Sequence, residues 1–122
     1  MRNQPQYHFF KNTTYALNGM KDVIAHETSF KIELVIAAIL LPLLLILDLS
    51  LLYKLVMFMS IMGMLIAEVI NSAIERVVDL VTLEHHEMAG RAKDVGSAIV
   101  FLSIMVFVVV WLSSFALYFG FI

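Results

Sequence analysis

The 122-residue chain has no cysteine. Disulfide frameworks, thiolate zinc sites and cysteine nucleophiles are therefore excluded. Charge is scarce too: 15% of the residues are Asp, Glu, Lys or Arg, where an ordinary soluble domain carries about 25%. Neither a P-loop nor a Gly-x-Gly-x-x-Gly occurs, which removes the soluble nucleotide-binding folds. The net charge of −2 and pI of about 6.0 leave no basic footprint for nucleic acid. The length has room for one domain. No cleaved leader is expected, because residues 1–31 hold no apolar run long enough for a signal-peptide core.

What is present is apolar sequence. Hydrophobic residues make up 61% of the chain and mean hydropathy is +0.93, values that belong to proteins solvated by lipid. Between Tyr7 and Phe30 the apolar residues are interrupted every few positions by polar ones, as in a helix lying on a membrane surface. Asn18-Gly19 is expected to break it. Leu34 to Leu47 is uninterrupted and, extended back to Phe30, gives a first span over about residues 30–48, with Pro42 inside it. After the short Asp48-Leu49-Ser50 turn a second span runs over about 51–70, with a cytoplasmic extension to about 84. The third covers about 97–120 and carries no charge. The expectation is an all-α integral membrane protein of a single domain: a surface helix region over 1–29 and three transmembrane helices. Seven of the eight Lys and Arg residues lie before Glu33 or between Arg76 and Lys93, and only Lys54 lies elsewhere. The N-terminus and the second loop are thus expected to be cytoplasmic. Tyr53, Trp111 and Tyr118 fall toward the opposite interface, like an aromatic belt.

The chemistry concentrates after the second apolar run. Asn71, Ser72, Glu75 and Asp79 follow Glu68 at three, four, seven and eleven residues, which places all five on one helical stripe. Glu68 comes 17 residues after Leu51, about 25 Å along a helix and close to the cytoplasmic interface. One carboxylate there could simply be solvated. Three on one stripe repel by about 0.2–0.5 kcal/mol per neighbouring pair, and ionisable groups at membrane depth mark function. A divalent cation relieves the repulsion, and oxygen ligands favour Mg²⁺. Downstream, His85 and His86 point about 100° apart on a helix, which argues against a shared zinc. Arg91 and Lys93 suit phosphate oxygens, with membrane anchoring as the alternative.

Glu68-x-x-Asn71-Ser72-Ala73-Ile74-Glu75-x-x-x-Asp79, followed by Gly90-Arg91-Ala92-Lys93-Asp94-x-Gly96-Ser97-Ala98, resembles the prokaryotic diacylglycerol kinase family. His26-Glu27-x-x-Phe30-Lys31-x-Glu33 is similar to the family's Asn-Glu-x-x-Phe-Arg-x-Glu segment. The resemblance implies a homotrimeric bundle in the bacterial inner membrane that transfers the γ-phosphate of MgATP to diacylglycerol. By position it implies Glu68 as catalytic base and Glu27 and Glu75 as Mg²⁺ ligands. It places Tyr15, Glu84, His85, His86, Lys93 and Asp94 at the nucleotide with Glu27 and Glu75. Asn71, Ser97, Glu33, Asp48, Lys54 and Trp111 fall near the lipid or structure the site with Glu68. His8 stands where the family tends to carry an arginine, so Arg2 or Lys11 would have to supply an N-terminal phosphate contact. An undecaprenol kinase of the same fold is the nearest rival, and a small oligomeric proton or cation transporter the rival of another class. Three helices cannot enclose a polar site alone. Sites shared between subunits are therefore expected, with Glu27 from one protomer and the membrane-helix carboxylates from a neighbour.

Overall fold

The computed structural model describes residues 6–122, so Arg2 lies outside the described residues. Their regular structure is helical throughout: α1 Phe9–His26, α2 Thr28–Ile46, α3 Leu51–Val81 and α4 Glu87–Tyr118. The last three are long and apolar enough to cross a membrane. The chain is thus an all-α, multi-pass membrane protein.

α1 runs unbroken through Asn18 and Gly19, contrary to the break expected there. An interior glycine costs only about 1 kcal/mol relative to alanine, too little to interrupt an 18-residue hydrogen-bond ladder. Thr13 and Thr14 also return their hydroxyls to the carbonyls of Phe9 and Phe10, both at 3.0 Å. Only Val23 of α1 is buried, while Phe10, Tyr15 and Leu17 stay exposed, a face suited to a membrane surface.

A single extended residue, Glu27, separates α1 from α2 (φ −104°, ψ 108°). Its N–H donates to Val23 O at 2.8 Å and its carbonyl accepts from Lys31 N at 3.2 Å, so both helix ends fix its backbone. α2 continues past Pro42, which withholds one N–H from the ladder without ending it. Residues 47–50 then turn the chain into α3, where Lys54 Nζ donates to the Leu45 carbonyl at 3.3 Å.

α3 is the central helix, packed by α2 on one side and by α4 along much of its length. Its 31 residues span about 46 Å, beyond the roughly 30 Å of a hydrocarbon core, so its last turns project into the headgroup region or past it. α4 starts ten residues before the expected span, at Glu87, because His86 caps it: His86 Nδ1 accepts from Met88 N at 3.2 Å. Arg91, Lys93 and Asp94 are consequently helical and run beside the end of α3.

The apolar centre is Ala37, Leu44, Met57, Ile61 and Trp111. Trp111 is only 4% exposed and is no part of an interfacial belt, in contrast to Tyr53 and Tyr118, which are exposed. An indole N–H at membrane depth requires a partner. Trp111 Nε1 finds it in Ser60 Oγ at 3.2 Å, and Ser60 donates in turn to the Met57 carbonyl at 2.6 Å. Most of α4, including Phe101, Leu102, Met105, Val109 and Leu112, remains exposed.

Candidate active site

Where α2, α3 and α4 meet, a groove of about 380 Å³ opens between Ser29, Glu33, Ile36, Met64, Glu68 and Ile104. Its walls are hydrocarbon except at Glu33, Glu68 and Ser29. Both carboxylates are buried, 8% and 6% exposed, and Glu33 Oε2 has no hydrogen-bond partner among the described residues. An apolar slot with acceptor oxygens at one place is complementary to an amphiphile carrying a hydroxyl.

One turn beyond Glu68, Asn71 Nδ2 donates to Glu75 Oε1 at 3.2 Å. The other side of Asn71 faces Gly96, where a Cβ would collide with Asn71 Oδ1 and touch Ile74. That oxygen is buried without a hydrogen-bond partner. Glycine at position 96 thus lets α4 approach α3 closely enough to hold Asn71, and Asn71 orients Glu75.

Next to Glu75, Arg76 reaches back across the fold. Its Nη1 donates to Asp22 of α1, and its Nη2 donates to Glu27 Oε1 at 3.1 Å. The hydrogen bond from Arg76 holds the Asp22 carboxyl below the usual carboxylate range. Farther along, Lys93 Nζ meets Asp79 Oδ1 at 2.6 Å. A small concavity of about 160 Å³ there is lined by Thr82, Glu84, His85, His86, Gly90 and Lys93.

Four of the residues expected at a nucleotide, Glu84, His85, His86 and Lys93, therefore share one concavity. Glu33 and Glu68 share the groove, and Asn71 and Glu75 are bonded. Tyr15, Asp94 and Ser97 are exposed and line neither cavity. Lys54 sits near the opposite end of α3, about 20 Å from Glu68 along the helix, and Asp48 lies farther still, in the turn before α3. Trp111 is in the apolar centre beside Ser60, so one chain does not bring it to the carboxylates. Among the described residues no group of three or more His, Asp or Glu could hold a metal by itself. The Asp22–Arg76–Glu27 contact escaped the sequence reading, since residues 54 and 49 positions apart share no periodicity.

These features can be set beside known proteins. A family model for prokaryotic diacylglycerol kinase matches residues 14–115. The chain belongs to this family. Among curated relatives, the diacylglycerol kinase of Haemophilus influenzae is 39% identical over 104 residues, covering 85% of this chain and 88% of its own. That of Escherichia coli K12 is 37% identical over 101 residues, covering 83% of each. The undecaprenol kinase of Bacillus subtilis is 34% identical over 92 residues, covering 75% of each. This diacylglycerol kinase family member is therefore an ATP-dependent membrane kinase. The residues lining its buried carboxylate groove all fall within residues 14–115.

Proposed function

We propose that the chain phosphorylates diacylglycerol with MgATP, giving phosphatidic acid at the cytoplasmic face of the inner membrane. The observation that carries this reading is the pair of buried carboxylates, Glu33 and Glu68, in an otherwise apolar open groove. A diacylglycerol can lay its chains along Ile36 and Ile104 and bring its hydroxyl to Glu68. Glu68 accepts the hydroxyl proton as the oxygen bonds to the γ-phosphorus, and ADP departs with the bridging oxygen. Glu33 orients the glycerol end, Asn71 keeps Glu75 in place, and Ser97 acts from α4 outside the groove lining. Asp48, Lys54 and Trp111 contribute from a distance, by ordering the helices that form the groove.

Phosphoryl transfer depends on positioning and charge stabilisation. Glu27 and Glu75 are the proposed Mg²⁺ ligands. The donors fit, since Mg²⁺ takes hard oxygens and usually only one or two protein carboxylates beside the phosphates. Held by Glu27 and Glu75, Mg²⁺ would supply positive charge against the phosphates. Lys93 exchanges Asp79 for phosphate oxygens, while Tyr15, Glu84, His85, His86 and Asp94 hold the rest of the nucleotide.

The exposed apolar surface of α4 supports a homotrimer, because neighbouring subunits can pack against it. Each site then takes Glu27 from one protomer and Glu68 and Glu75 from another. The placement of Lys and Arg supports a cytoplasmic N-terminus. The test is γ-phosphate transfer by purified protein in mixed micelles with MgATP. Diacylglycerol is expected to be the better acceptor by kcat/KM. Preference for undecaprenol would move the chain to the rival acceptor, and transfer to neither would overturn the reading.

A further inference from the structure

Arg76 has no part in the reaction as described, yet it is bonded to one of the proposed ion ligands. Among the described residues it is the cation paired with Glu27, while Glu68 and Glu75 form no ion pair. The Arg76 guanidinium is bonded to two carboxylates, Glu27 and Asp22, and follows Glu75 directly on α3.

Two features make this more than a surface ion pair. The backbone of Glu27 is fixed at the α1–α2 corner by bonds to both helices, so Arg76 decides where its carboxylate points. The guanidinium also divides its two ends, Nη1 to Asp22 and Nη2 to Glu27, and it can leave Glu27 without losing its only partner. A divalent cation on the Glu27 carboxylate would lie within a few ångströms of the Arg76 guanidinium, and their like charges repel.

We propose that Arg76 is the resident counter-ion of Glu27, released onto Asp22 when a divalent cation binds, so that the Asp22–Arg76–Glu27 triad sets the cation concentration at which the site fills. Arg76 is then a positioning residue that acts through Glu27. The proposal rests on the reading of Glu27 as an ion ligand, and it makes Asp22 an aid to cation binding although Asp22 touches no ion.

The test is a titration of Mn²⁺ alone against the purified full chain in detergent, reading free Mn²⁺ by electron paramagnetic resonance. Arg76→Gln is expected to tighten Mn²⁺ binding on the order of tenfold. Asp22→Asn should weaken it by about threefold, because Arg76 is left to Glu27 alone. The double variant should match Arg76→Gln, and Glu27→Gln should lose the site. If Glu27→Gln binds Mn²⁺ like wild type, the ion-ligand reading and the proposal fall together. If Glu27→Gln loses binding but Arg76→Gln binds no more tightly, the proposal alone is overturned. Should Arg76→Gln not fold, Asp22→Asn, which keeps every positive charge, decides: unchanged or tighter binding refutes the proposal.

Discussion

Gly96 and Asn71 meet where α4 crosses α3, so closely that any side chain at position 96 would overlap Asn71 Oδ1. The same Asn71 holds Glu75 through its amide. Gly96→Ala should therefore damage the site through packing, with a strain of about 1–3 kcal/mol and a fall in turnover of about tenfold or more at fixed MgATP. Detergent unfolding and turnover check it. Adding Asn71→Ala should restore stability without restoring activity.

Asp22 supplies a pH prediction. Its carboxyl is held below its ordinary value, so its contribution to folding is present above the unfolded-state value of about 3.9 and is lost as pH falls through the lower folded value. The tie from α1 to α3 should accordingly persist at pH 5 and weaken only under strongly acidic conditions. Amide exchange in α1 should show this loosening in wild type, whereas Asp22→Asn should exchange faster already at neutral pH.

The Trp111–Ser60 bond predicts an asymmetry between two substitutions. Ser60→Ala strands the indole N–H in hydrocarbon and should cost about 1–2 kcal/mol. Trp111→Phe leaves Ser60 still bonded to Met57 and removes the need for a partner. Its loss should come only from packing. Unfolding in mixed micelles compares them.

What could be read in the sequence, and what could not, divides along the range of the interactions. The three spans are visible because an apolar run of sufficient length needs no partner to declare itself. The Glu68-to-Asp79 stripe is visible because helical periodicity is local. α1's continuity was not, since a glycine signals a break whose cost the rest of the ladder can absorb. The early start of α4 depends on one cap, His86, in a polar stretch that resembles a loop. Trp111 looked interfacial because its partner is 51 residues away in sequence. Arg76 looked like one more cytoplasmic charge until the fold brought Asp22 and Glu27 beside it.

Subunit sharing has its own test. Glu27→Ala and Glu68→Gln subunits, each inactive alone, are mixed, reassembled and assayed. Shared sites should recover a fraction of wild-type activity, since some interfaces receive both intact halves. Continued inactivity in demonstrably mixed oligomers would place the whole site within one chain.

The central claim is that Glu68 takes the proton of a lipid hydroxyl at the groove it shares with Glu33. It is tested most directly by the rate of γ-phosphate transfer to diacylglycerol in Glu68→Gln at saturating MgATP, alongside nucleotide binding by the same preparation. The account predicts turnover lower by about 10²-fold or more with nucleotide binding retained. Near-normal turnover in that variant would contradict it.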